Sequence, residues 1–138
     1  MCVIALDPGN STGWCMRAPG CNKLFGGTIG TCHKDVFELL NTINPDVVVY
    51  ETFQMYPNKA QKLLWNSFYP CEVIGVIKLW AMLHPDVKLV GLQPSVKKYA
   101  LSATENELWR TVDTSGEKPT EHLRDAVRLL RYYERNKT

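Results

Sequence analysis

Four residues spread over 138 positions have the types and settings for phosphate chemistry: Asp7, Glu51, His122 and Asp125. Asp7 closes the apolar run Val3-Ile4-Ala5-Leu6, and Glu51 closes a second run, Val47-Val48-Val49-Tyr50. A buried strand that stops on an acid delivers one carboxylate to the rim of a sheet, where a stiff backbone holds it. His122 precedes Asp125 by one helical turn, so the two side chains share a face of any helix that carries them. An oxygen-rich set of this kind suits Mg²⁺, with Mn²⁺ as a substitute, and disfavours structural zinc. Two such ions roughly 3.5–4 Å apart generate a nucleophile from water and stabilise the departing oxygen in an in-line attack on phosphorus. The opening turn admits other readings: Asp7-Pro8-Gly9 followed by Thr12 also fits a backbone cradle for nucleotide phosphates, and an Asp can simply cap a turn.

The elements that must position these groups are legible from periodicity. Gly13 to Ala18 and Lys23 to Ile29 read as strands joined at Pro19-Gly20, close enough to the first strand to form an antiparallel meander. Asp35 to Ile43 carries Val36, Leu39, Leu40 and Ile43 at helical spacing and ends at Asn44-Pro45. A helix between two buried strands implies a right-handed crossover, with Glu51's strand parallel to that of Asp7 and both acids at one sheet edge. Lys59 to Leu83 reads as a long helical stretch, bent or divided at Pro70, with more apolar surface than one sheet face requires. That surplus is either intramolecular core or a homodimer interface through residues 59–83.

Pro85 to Leu92 has the composition of a buried strand, and Gln93-Pro94-Ser95 opens a short helix with Lys97 and Lys98. Glu105 to Val112 suggests a helical turn or two, and Asp113-Thr114-Ser115-Gly116-Glu117 a mobile surface loop. The last element, from about Pro119 to Arg135, is amphipathic: Leu123, Ala126, Leu130 and Tyr133 share one side, and Arg124, Arg128, Arg131 and Arg135 the other. His122 falls near the apolar side, Asp125 on its shoulder and Glu121 towards the arginines. The arginine stripe is either a solvated face or a surface that tracks phosphates.

Ile4-Ala5-Leu6-Asp7-Pro8-Gly9 with Thr12-Gly13-Trp14, then Val47 to Glu51, then Gln93-Pro94-Ser95-Val96-Lys97, then His122-Leu123-Arg124-Asp125-Ala126 run in one order over nearly the whole chain. In this the sequence resembles the RuvC family of Holliday-junction resolvases, within the ribonuclease H-like nucleases. The resemblance implies an α/β fold: a mixed five-stranded sheet, antiparallel meander then parallel strands, flanked by helices in one domain spanning residues 1–138. It also implies a crossover-junction endodeoxyribonuclease that leaves 5′-phosphate ends and works as a homodimer on branched DNA.

Carried over by position, Asp7, Glu51, His122 and Asp125 are then metal ligands, with His122 standing where many relatives have an acid. Lys97 or Lys98 supports the scissile phosphate. Phe53 or Tyr56 is the aromatic that stacks on an unpaired base, and Arg124 and Arg128 join Lys97 and Lys98 as DNA contacts. A nuclease of the same fold acting on other branched DNA or on structured RNA is an alternative. A nucleotide-binding domain of the actin and sugar-kinase type is the alternative for the first turn, and a junction-binding scaffold without cleavage is a third.

Composition is consistent with these readings without selecting among them. A net charge of +2 with 16 Lys and Arg does not prove a nucleic-acid partner, so the arrangement of basic residues carries that question. Five cysteines form neither an even set nor a C-x-x-C pair, which suits free thiols in a reducing cytoplasm, that of a host if the chain is phage-encoded. Cys32-His33 lacks metal-site spacing. The apolar run at the start is broken at Asp7, and no run approaches a membrane span.

Overall fold

The computed structural model describes residues 1–30, 33–53, 69–99 and 104–136. Within these, β1 (Val3–Asp7), β2 (Thr12–Arg17) and β3 (Leu24–Ile29) form the antiparallel meander, and α1 (His33–Ile43) leads to β4 (Val47–Glu51). Then come α2 (Tyr69–Met82), β5 (Lys88–Leu92), a 3₁₀ helix (Pro94–Tyr99), α3 (Glu105–Thr111), β6 (Val112–Asp113) and α4 (Glu121–Asn136). The sheet order is β5-β4-β1-β2-β3-β6, with β4 parallel to β1, β5 parallel to β4 and β6 parallel to β3.

Side chains alternate across a strand, so each face of β1 and β4 serves a different core. Val3, Ala5, Val47 and Val49 pack with Cys15, Leu24 and the buried face of α4, namely Leu123, Ala126, Val127, Leu129 and Leu130. Ile4, Leu6, Val48 and Tyr50 pack on the other side with Val36 and Leu40 of α1 and Val73, Ile77 and Trp80 of α2. The Trp80 indole N–H donates to Asn41 Oδ1 at 2.8 Å, pinning α2 to α1. Because Leu6 lies opposite Tyr50, Asp7 and Glu51 are the next positions along adjacent parallel strands. By the same alternation both belong to the face covered by α4.

Three sequence expectations need correction. The sheet has six strands rather than five: Val112–Asp113 adds a two-residue strand beside β3, too short to show any periodicity. The strand expected to be buried over Pro85 to Leu92 is β5, which lies at the sheet edge and has no fully buried residue. The segment after Val112 is a bonded turn. Asp113 Oδ1 accepts the Ser115 N–H at 3.0 Å, and the Thr114 hydroxyl donates to the Glu117 carbonyl at 2.6 Å. Of the long stretch 59–83, helix is described over Tyr69–Met82, and residues 59–68 lie outside the described residues. No described helix is long and apolar enough to cross a membrane.

Candidate active site

The last helix is held against the sheet at its first turn. The Thr120 hydroxyl accepts the Leu123 N–H at 3.1 Å, satisfying one of the donors that a helix start leaves free. The same hydroxyl lies 2.6 Å from that of Thr28 on β3, so the cap is also a tether to the sheet. Gly13 on β2 is what permits the approach: a Cβ there would collide with the carbonyl group of His122 and stand 2.6 Å from the Leu123 nitrogen. At the far end, Arg17 donates from Nε and Nη2 to the two carboxylate oxygens of Glu134, at 2.6 and 3.2 Å. This paired bond fixes the helix along β2.

With α4 so placed, His122 Nδ1 lies 3.3 Å from Asp7 Oδ2, and Asp125 stands one turn further along. Asp7 is buried at the end of β1, whereas the His122 side chain is 45% exposed. The 3₁₀ helix after β5 brings Lys97 in from the other side. Its ammonium sits 2.8 Å from Glu51 Oε2 and 3.3 Å from Asp125 Oδ2, with the side chain only 19% exposed. Arg128 Nη1 reaches to 3.8 Å from Asp125 Oδ1.

Acids crowded at one edge cannot all ionise freely. Burial, with a hydrogen bond and charge repulsion from Glu51, pushes the Asp7 carboxyl up to about 8 from an ordinary value of 3.8, and Lys97 only partly opposes this. The Lys97 ammonium is held protonated against burial by Glu51 foremost and then by Asp125 and Asp7.

The fold has solved counterparts. No family model matches the sequence, and no curated protein matches it. Among solved structures, T. thermophilus RuvC in complex with Holliday junction substrate superposes with a TM-score of 0.65 at 23% identity, covering 100% of this chain and 97% of that one. The fowlpox virus Holliday junction resolvase gives 0.61 at 16% identity, covering 98% and 99%. The yeast mitochondrial Holliday junction resolvase gives 0.58 at 10% identity, covering 96% and 77%. The fold is that of the Holliday junction resolvases.

On this resolvase fold the residues expected from sequence divide into those the structure gathers and those it does not. Asp7, Glu51, His122, Asp125 and Lys97 converge. Lys98 lies beside Lys97 on the exposed side of the 3₁₀ helix. Phe53, two residues beyond Glu51, is half-buried against the α1 and α2 core. With Tyr50, Thr52, Ile74 and Gly75 it lines a cavity of about 310 Å³. Tyr56 lies outside the described residues. Arg124 and Arg128 are half-buried, and each has a buried Nε without a hydrogen-bond partner among the described residues. The arginine stripe is therefore not a uniformly solvated face.

In the sequence Gly13 reads only as the start of a strand and part of the Thr12-Gly13-Trp14 motif. Its steric role depends on which element lies over it, and a single strand carries no sign of that. Among the described residues no three potential ligands stand at the spacing of a closed metal centre. The donor chemistry nevertheless fits a divalent cation. Three carboxylates gather there, the Asp7 carboxyl pushed up to about 8 by burial and by Glu51, and the buried Glu51 Oε2 has an ammonium beside it but no aligned hydrogen bond; oxygen donors of this kind are what a hard divalent cation takes.

Proposed function

We propose that the protein is a metal-dependent, structure-selective endodeoxyribonuclease that resolves four-way DNA junctions. The observation that carries this reading is the meeting of Asp7, Glu51, Asp125 and His122 from β1, β4 and α4 at one sheet edge of a resolvase fold. In this reading Asp7, Glu51, His122 and Asp125 hold Mg²⁺, or Mn²⁺ in its place, as two ions. Bound there, the ions would supply an activated water and stabilise the leaving oxygen of a phosphodiester, giving a 5′-phosphate product.

The chain's own residues orient that chemistry. Asp7 and Glu51 extend from adjacent hydrogen-bonded strands, so their separation is fixed by the sheet. Asp7 Oδ2 stands within hydrogen-bond reach of His122 Nδ1, which sets the imidazole's orientation. Lys97 and Lys98 supply positive charge beside the carboxylates for the DNA backbone, and Phe53, two residues past Glu51 and packed on the α1 and α2 side, is the described aromatic for an unpaired base. Arg124 and Arg128 extend the basic surface along α4. Resolution requires two cuts, and a homodimer supplies two sites. The exposed Leu79, Met82 and Leu83 at the end of α2 form the apolar surface for that pairing.

The nucleotide-binding alternative gives His122 and Asp125 no task, although His122 approaches the first turn at Gly9. The test is incubation with four-way junction, fork, flap, linear duplex and RNA–DNA hybrid, with Mg²⁺, Mn²⁺ or a chelator, comparing wild type with Asp7→Asn. Metal-dependent nicking of the junction is expected in wild type, and binding without cutting in the variant. Cutting by Asp7→Asn at the wild-type rate would remove the reading, and ATP hydrolysis without nicking would replace it with the nucleotide-binding one.

A further inference from the structure

We propose that Lys97 is a built-in counter-cation whose ammonium occupies the ligand positions of Glu51 and Asp125 until a divalent ion displaces it. This rests on the metal-dependent reading above and concerns how the site is loaded.

The geometry is specific. Lys97 Nζ lies 2.8 Å from Glu51 Oε2 and 3.3 Å from Asp125 Oδ2, bridging acids from two separate elements. Mg²⁺ needs carboxylate oxygens at about 2.0–2.1 Å and repels a neighbouring ammonium, so it competes with Nζ for the same lone pairs. Arg128 stands further off, 3.8 Å from the other oxygen of Asp125. His122 faces Asp7 instead. Removing Lys97 would therefore leave the inner oxygens of Glu51 and Asp125 without their closest positive partner.

The placement also allows exit. Lys97 sits on a six-residue 3₁₀ helix rather than on a sheet strand, and its flexible four-carbon stem can withdraw the ammonium without moving β1, β4 or α4. The ammonium thus keeps mutually repelling acids together in the cation-free protein and yields its place on loading.

The test is calorimetric titration of Mn²⁺ into the full chain as wild type, Lys97→Met, Lys97→Gln, Lys97→Arg and Asp7→Asn, with thermal melting of each in chelator and in saturating Mn²⁺. Lys97→Met and Lys97→Gln are expected to bind Mn²⁺ about tenfold or more tightly than wild type, because the competing charge is gone. Both should melt below wild type in chelator and recover that loss in Mn²⁺. Lys97→Arg, which keeps the charge, should restore wild-type affinity. Affinity in Lys97→Met and Lys97→Gln equal to or weaker than wild type, with binding still abolished by Asp7→Asn, overturns the displacement while leaving the metal site intact. A melting deficit that Mn²⁺ does not correct assigns Lys97 a purely structural role and overturns it equally. Absence of any Mn²⁺ binding sensitive to Asp7→Asn sinks the metal reading itself.

Discussion

A carboxyl group that keeps its proton to about pH 8 makes Asp7 a source of pH-dependent stability. Between its ordinary value of 3.8 and about 8, the folded protein holds a proton on Asp7 that the unfolded chain has released. The folded state therefore binds more protons, and its stability falls as pH rises through that window. An amide needs no proton. In chelator, Asp7→Asn is expected to be more stable than wild type at pH 8, by roughly 1–3 kcal/mol, with the gain fading towards pH 4. Thermal melting across pH checks this, and a difference independent of pH would contradict it. On the proposed metal reading a ligand carboxyl must give up its proton, so cation affinity in wild type should climb with pH and level off above about 8. Titrations of Mn²⁺ at several pH values read that directly.

At the scale of elements, the site depends on how α4 begins. Gly13→Ala would drive a methyl group into the first turn of the helix at His122 and Leu123. The expected cost is about 1–3 kcal/mol of stability. Displacing His122 and Asp125 by even an ångström should lower junction nicking by about a hundredfold. Single-turnover cleavage and denaturant unfolding of the same variant separate these effects. Thr120→Ala removes the cap and its tether to Thr28, and should cost about 1 kcal/mol with a smaller effect on rate.

Much of this element was legible beforehand. The apolar spacing of Leu123, Ala126 and Leu130 marked its buried face, and the interval from His122 to Asp125 placed both side chains on one side. The strand acids were equally plain, because an apolar run that halts at a carboxylate announces both the strand and its end. The packing against Gly13 was not legible, since it links β2 to a helix more than a hundred positions later. Nor were the ion pairs of Lys97: the resemblance brought one of a lysine pair to the site, but its partners come only from β4 and α4.

For the whole molecule, the proposed function assigns different tasks to two surfaces of a six-stranded sheet with helices on both faces. On the proposed reading, contact of Lys97, Lys98, Arg124 and Arg128 with DNA phosphates makes junction binding strongly salt-dependent. Arg124→Gln is expected to reduce the slope of log affinity against log salt by about one, measured by fluorescence anisotropy. The end of α2 presents Leu79, Met82 and Leu83. A Leu79→Glu, Met82→Glu double variant should sediment as a single chain under conditions where wild type sediments as a pair. A wild-type mass of one chain at every concentration would remove the dimer. The sixth strand and the edge position of β5 escaped the sequence reading for one reason: apolar content describes a strand, whereas its neighbours are decided by the remainder of the sheet.

Cys15 lies under α4 with no exposed surface, and burial pushes its thiol up to about 12. A thiol so placed reacts with an alkylating reagent only when the helix lifts from the sheet, which is also the movement that would dismantle the acidic cluster. Its labelling rate is therefore a chemical clock for spontaneous opening of that half of the molecule, readable by peptide mass spectrometry of the Cys15 segment without any substrate.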